Sequence, residues 1–184
     1  GLSWRGLASG IGHASAVGLS GDGNWGAIDV LGNGVFAKRP MPQPIAHTNS
    51  PIHDLIHDNR RWIGCGAAGE LIASLDGENW SNLPLPLSSK ARALFDCRAL
   101  VRFEDHLWVV GSPGSILFHS SDGGEQWHKL STGQSLPIAD VCFMDKNRGW
   151  LVGAQGLILA TRDGGMSWYP QRQHAQRTAV LSIV

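Results

Sequence analysis

Residues 139–168 read ADVCFMDKNRGWLVGAQGLILATRDGGMSW. The stretch has the form of three short β-strands joined by two tight turns. It closes on Thr161-Arg162-Asp163-Gly164-Gly165-Met166-Ser167-Trp168, which is T-x-D-x-G-x-x-W. The closing element recurs as Ser120-Ser121-Asp122-Gly123-Gly124-Glu125-Gln126-Trp127, and in shortened form as Ser74-Leu75-Asp76-Gly77-Glu78-Asn79-Trp80. Upstream of each copy stands a G-x-x-G pair: Gly66 and Gly69, Gly111 and Gly114, Gly153 and Gly156. Before each pair lies an apolar run with a tryptophan: Trp62-Ile63-Gly64, Trp108-Val109-Val110 and Trp150-Leu151-Val152.

Asp76, Asp122 and Asp163 are spaced 46 and 41 residues apart. A unit of several short strands repeating every 40–50 residues is the period of a β-propeller blade. The fold class expected is therefore all-β, a propeller of four-stranded antiparallel blades. A degenerate copy occupies residues 27–37, and its second hairpin, Lys38-Arg39-Pro40-Met41-Pro42, lacks both Asp and Trp. The expected division is a single propeller over residues 1–184: the outer strand of a preceding blade at 1–7, a degenerate blade at 13–50, blades at 51–87, 96–132 and 137–172, and the first strand of a further blade at 178–184. Residues 40–44 read as a proline-rich turn, 45–47 as a short outer strand and 89–94 as a helical turn. A stray strand at each end leaves closure open, and the preferred reading is a piece of a larger propeller.

The closing element has a structural logic. The Asp carboxylate can accept hydrogen bonds from the backbone N–H groups of its own turn, and the Ser or Thr hydroxyl adds a further local bond. A glycine takes the left-handed position, and the Trp ring covers the hairpin with its N–H free for a carbonyl. Ser74, Asp76 and Trp80, then Ser120, Asp122, Gly124 and Trp127, then Thr161, Asp163, Gly165 and Trp168 are thus assigned to a turn staple. Catalysis or metal binding by these aspartates is the reading set aside.

S/T-x-D-x-G-x-x-W is similar to the Asp-box of BNR-repeat proteins. The longer pattern F-x-D-x-x-x-G-W-x-V-G-x-x-G-x-I-L-x-T-x-D-G-G-x-x-W resembles the repeat of the photosystem II stability/assembly factor family and its bacterial relatives. Residues 138–168 match nearly throughout, 99–127 match with one extra residue, and the box within 52–80 is one residue short. The resemblance runs from about residue 16 to the C-terminus. It implies a propeller, with seven blades in the family's well-known members, and an arginine-rich binding surface, for which no residue-by-residue match is found here. It does not imply photosynthesis.

Composition narrows the function classes. Fifteen basic and fifteen acidic side chains give a formal net charge of zero, without the basic surface that nucleic acid or anionic membrane binding requires. No apolar run is long enough for a transmembrane helix, so direct membrane insertion is not expected, and no signal peptide is visible. The compartment is left open. The turns and boxes account for much of the 24 Gly and 8 Trp. The three cysteines, Cys65, Cys97 and Cys142, sit in apolar strand-like surroundings and read as free buried thiols, with one disulfide left open.

Ligands of propellers usually meet at the central channel, where the register places Asp54, Arg98 and Asp140, with Arg102 and His57 nearby. His53 and His57 on one strand would stand roughly 13 Å apart, too far to chelate one metal. No metal and no cofactor are expected. Sialidase-like glycosidases also carry Asp-boxes, but the single tyrosine, Tyr169, follows a box Trp on an outer strand, far from a channel. Paired carboxylates, Ser-His-Asp groupings and phosphate loops have no signature. Arg172 and Arg177 are read as solvated linker residues. The function expected is a non-catalytic propeller that binds a protein partner or acts as an assembly scaffold. The alternatives are an accessory propeller segment of a larger multidomain enzyme and a glycan-binding or sialidase-like propeller. Further blades or domains outside this chain are possible partners of the fold.

Overall fold

The computed structural model describes residues 14–19, 25–29, 33–36, 39–44, 50–171 and 183. These residues form four sheets of four antiparallel strands each, every sheet in simple up-and-down order. Blade 1 is β1 (Ala14–Leu19), β2 (Trp25–Asp29), β3 (Asn33–Phe36) and β4 (Arg39–Pro44). Blade 2 is β5 (Ile52–His57), β6 (Trp62–Gly66), β7 (Leu71–Ser74) and β8 (Trp80–Asn82). Blade 3 is β9 (Asp96–Phe103), β10 (His106–Ser112), β11 (Ile116–Ser120) and β12 (His128–Ser131). Blade 4 is β13 (Ile138–Phe143), β14 (Gly149–Gly153), β15 (Ile158–Thr161) and β16 (Tyr169–Pro170). The first strands lie side by side, β1 next to β5, β5 next to β9 and β9 next to β13, so they are innermost, as in the blades of a β-propeller. A single short helix, α1 (Ser89–Leu94), capped by Ser88, sits in the connection between blades 2 and 3, where a helical turn was expected.

Three apolar wedges fill the joints between blades. Each is built from the forward face of one blade, the face toward its higher-numbered neighbour, and the rear face of the next. Ala16, Ile28 and Phe36 meet Leu55, Trp62, Ile72 and Trp80. Ile63, Cys65, Leu71 and Ala73 meet Leu100, Leu107, Val109, Phe118 and Trp127. Ala99, Trp108, Val110 and Leu117 meet Val141, Leu151, Leu159 and Trp168. Strand alternation makes this possible, because successive side chains point to opposite faces and each interior sheet is covered on both.

The two glycines of G-x-x-G are there for different reasons. A Cβ on the first of each pair, Gly66, Gly111 or Gly153, would stand 2.0, 1.9 or 2.2 Å from the carbonyl oxygen of Pro51, Asp96 or Pro137. The innermost strand carries a bulge at this level in every sheet, which presses it against the second strand. The second glycine of each pair turns the hairpin at φ 65, 72 and 73°, where an L side chain would be strained.

Two sequence expectations are corrected. Residues 40–44 are not a turn but part of β4, paired with β3 from Asn33↔Pro44 to Phe36↔Arg39. An outermost strand has a neighbour on one side only, so its prolines need not donate to a second ladder. Cys65 and Cys97, read as free thiols, form a disulfide between β6 and β9, across the joint of blades 2 and 3. Cys142 is free and half-buried. The strands expected at 1–7, at 45–47 and over most of 178–184 lie outside the described residues.

Candidate functional site

The three boxes fold alike. In blade 4 the Thr161 hydroxyl donates to Asp163 Oδ1 at 2.8 Å and accepts from the Gly165 N–H at 2.9 Å, and Asp163 Oδ1 accepts the Ser167 N–H at 2.9 Å. The Trp168 indole N–H closes on the Gly165 carbonyl at 3.0 Å. Ser120, Asp122, Gly124 and Trp127 repeat the pattern in blade 3. The shortened box keeps it, with Asp76 Oδ1 accepting both Glu78 and Asn79 amides at 2.8 Å and the Trp80 indole donating to the Gly77 carbonyl. These bonds stabilise the carboxylate form. The Asn79 amide holds Asp76 below the usual range, and the Gln126 amide does the same for Asp122. At Asp163 burial pushes upward, but the bonds from Ser167 and Thr161 together outweigh it. In each box the Oδ1 of the aspartate is thus taken up by its own turn.

The channel residues are placed as follows. Asp54 Oδ1 accepts its own following amide, Leu55, and Oδ2 accepts the Leu100 amide of the next blade's innermost strand, both at 2.8 Å. Asp140 repeats this with Val141 and Ile183, again at 2.8 Å. Burial raises the Asp54 pKa, the two amides lower it, and the charge of Asp140 raises it further. Asp54 thus latches its innermost strand to that of blade 3, and Asp140 holds the backbone at residue 183. Arg98 is the bulged residue of β9, half exposed and paired with Asp96 at 3.2 Å. His53, the bulged residue of β5, has its Nδ1 2.8 Å from the Cys97 carbonyl oxygen. His57 packs edge-on against Trp62. Among the described residues no group of three or more His, Cys, Asp or Glu side chains could hold a metal ion.

A second surface was not singled out by sequence. The turn between the first two strands of a blade lies beside the box turn: the Gly123 N–H donates to the Asp105 carbonyl and the Gly164 N–H to the Asn147 carbonyl. These turns form one face of the molecule, with a groove at the joint of blades 2 and 3 and another at that of blades 3 and 4. The groove between blades 2 and 3 is about 200 Å³ and is of mixed charge, lined by Arg60, Arg61 and Arg102 and by Asp58, Glu104, Asp105, Asp122 and Glu125, with Leu75 at its edge. The one between blades 3 and 4 is about 440 Å³ and is lined by Phe103, Glu104, Lys146, Arg148 and Arg162. Arg61 is fixed by Asp58 and by the Gly123 carbonyl. Arg148 is fixed by Asp145 at 2.6 Å, and it is the largest of the influences that hold the Asp145 carboxyl at about 2. Arg60, Lys146 and Arg162 are exposed and have no ion-pair partner among the described residues. Leu75, Met144 and Met166 stand exposed on the same turns. The signal in the sequence was positional: Arg162 and Leu75 occupy the x of the box, and Arg60 and Arg148 follow the first strand of their blade. Arg172 and Arg177 lie outside the described residues.

With this geometry in place, the comparisons are specific. The model of a family described as "Photosynthesis system II assembly factor YCF48" matches residues 46–139 and 137–183. The photosystem II stability/assembly factor HCF136 of Cyanidioschyzon merolae is 32% identical over 116 residues, covering 62% of this chain and 26% of that protein. The photosystem II assembly lipoprotein Ycf48 of Synechocystis sp. is 27% identical over 159 residues, covering 81% of this chain and 45% of that one. A solved structure described as YCF48 bound to D1 peptide superposes with a TM-score of 0.59 at 23% identity, over 68% of this chain and 40% of that chain, a likeness of fold. The chain spans about half or less of the length of these curated relatives.

Proposed function

Because the chain belongs to the photosynthesis system II assembly factor YCF48 family, we propose that it acts as a non-catalytic scaffold, holding an extended segment of a client protein while a larger complex is put together. The observation that carries this reading is the family match across blades 2 to 4. A relative of known structure is described as bound to a D1 peptide, and an extended peptide is the kind of client proposed here.

The turn face is the proposed contact surface. Arg60, Lys146 and Arg162 carry charges with no ion-pair partner among the described residues, while Leu75, Met144 and Met166 supply apolar contact beside them. Arginine forks take carboxylates bidentately, and exposed methionine adapts to irregular apolar side chains. The client segment is therefore one that mixes acidic and apolar residues. The channel residues Asp54, Arg98 and Asp140 enter the proposal unequally. Arg98, at the opposite mouth, keeps donors for a second contact, whereas the aspartates shape the channel by fastening its strands.

The test is binding of a fluorescent D1 peptide to this chain, followed by anisotropy at two salt concentrations. Arg60→Glu with Arg162→Glu should weaken binding by roughly tenfold or more and flatten its salt dependence. Binding unchanged in the double variant would remove the turn face from the proposal, and no binding by the wild type would remove this client.

A further inference from the structure

Blade 3 departs from blades 2 and 4 at one row of the repeat. Five places before the first glycine of the G-x-x-G pair stands Arg61 in blade 2, His106 in blade 3 and Arg148 in blade 4. The third-strand residues opposite Ile63, Trp108 and Trp150 are Ala73, His119 and Ala160. Each arginine is held by an aspartate three residues earlier, Asp58 or Asp145. In blade 3 that earlier place is Phe103, and the row carries two imidazoles instead of an arginine and an alanine. Blades 2 and 4 build the same row without histidine, so the fold of the repeat does not ask for it here.

The two rings meet through their nitrogens. His106 Nδ1 and His119 Nε2 are 2.9 Å apart, with the rings at 13° to one another. Both residues are half-buried, and the other nitrogen of each ring has no hydrogen-bond partner among the described residues. Burial, then His106 and His128, lower the His119 pKa to about 4, so its imidazole is uncharged at neutral pH and keeps a lone pair. In the hydrogen-bonded pair one facing nitrogen donates and the other accepts. Moving the donor's proton to the far nitrogen of its own ring leaves two lone pairs beside one space, with both imidazoles still neutral. Metal–nitrogen bonds of about 2.0–2.1 Å that meet at a right angle hold their nitrogens about 2.9 Å apart. The right angle belongs to tetragonal coordination, which suits Cu2+ and Ni2+, and Cu2+ stands at the top of the affinity order of the divalent first-row ions.

We propose that His106 and His119 form a chelating site for a divalent transition-metal ion of tetragonal preference, Cu2+ before Ni2+. His106 Nδ1 and His119 Nε2 take two adjacent positions on the ion, and water takes the rest. Small rotations of the two rings turn their lone pairs from each other toward the ion, which reaches them from solvent. The protein supplies two ligands, in keeping with the absence among the described residues of a group of three that could hold a metal. The ion ties β10 to β11 beside Trp108, whose ring centroid is 5.0 Å from that of His119 and 5.7 Å from that of His106. The site is independent of the client reading above.

The experiment titrates the natural full-length protein, free of any histidine tag, with copper(II) sulfate at neutral pH in a buffer that does not chelate the ion. Calorimetry reads the affinity, and tryptophan emission reads the place. The variants His106→Gln and His119→Gln are run beside it, with His57→Gln as the control. The expected result is micromolar binding that quenches tryptophan emission in the wild type. Each of the first two variants should bind roughly tenfold or more weakly, and His57→Gln should bind as the wild type does. Equal affinity in all four proteins would put the ion on other groups and overturn the proposal. So would an absence of micromolar binding by the wild type, or binding that leaves its emission unchanged. Those last two readings need no variant to fold.

Discussion

Between blades 2 and 3 the joint is held by a disulfide, Cys65–Cys97, and by Arg61 reaching the Gly123 carbonyl. Between blades 3 and 4 the same place is held by rings: Phe143 on Trp108, Trp108 beside His119, and His119 against His106. At both joints a box carbonyl of the following blade receives one donor from the preceding blade, from a guanidinium in one case and an indole in the other. Blade geometry sets the demand, which is an apolar wedge and a donor for one carbonyl. It leaves open which residues meet it. Inside blades 2, 3 and 4, by contrast, the box bonds recur nearly atom for atom.

That contrast can be broken most severely at Trp108. Trp108→Ala removes the ring stack and leaves the Gly164 carbonyl without its donor, which should cost about 3–5 kcal/mol. The melting temperature should fall by roughly 6–20 °C. A loss no larger than that from Ile63→Ala, the same position in blade 2, would show that the aromatic joint depends on shape alone. The disulfide comes next. Cys65→Ala with Cys97→Ala should destabilise by about 3–4 kcal/mol through the freed loop of the unfolded chain. Urea unfolding of the oxidised protein and of the double variant measures it, and coincident curves would mean that packing suffices at this joint too. The smallest effect is acid sensitivity. His119 is held near a pKa of about 4, first by desolvation and then by His106 and His128. The unfolded chain binds that proton from about pH 6.5 downward and the folded one does not until about 4, so stability should fall across this window. His119→Gln should make melting less dependent on pH between 6.5 and 4, and identical pH profiles would exclude His119 as the source.

The boxes were legible because each one is complete within its own few residues, so the repeat could be read without knowing what it packs against. The joints were not. Sequence comparison aligns equal positions in different blades, but a joint pairs unequal ones, such as Cys65 of a second strand with Cys97 of the next first strand. Nothing in the spacing linked those two. The strand tryptophans misled in a related way. Trp62 aligns with Trp108 and Trp150 in sequence, yet it pairs with the box residue Ser74, whereas Trp108 pairs with His119 and Trp150 with Ala160. One step along a strand reverses the face, so Trp62 points back toward Phe36 of blade 1 while Trp108 points forward to blade 4. Asp54 and Asp140 were read as facing a ligand because polar residues on innermost strands usually face the channel. Their nearest donors are instead the amides of Leu100 and Ile183.

The box bonds join residues at most four positions apart. Bonds that fasten one blade to the next include ones spanning 46, 56 and 62 positions. During translation an outer hairpin can therefore close as soon as it clears the ribosome, while the forward face of its blade must wait for the partner still to be synthesised. For Trp108 that wait is the time needed to make the chain as far as Gly164, roughly 3–11 s at usual rates of elongation. A nascent array thus always carries one bare apolar sheet at its growing end, and it is this transient surface, renewed with every blade, that a chaperone would meet.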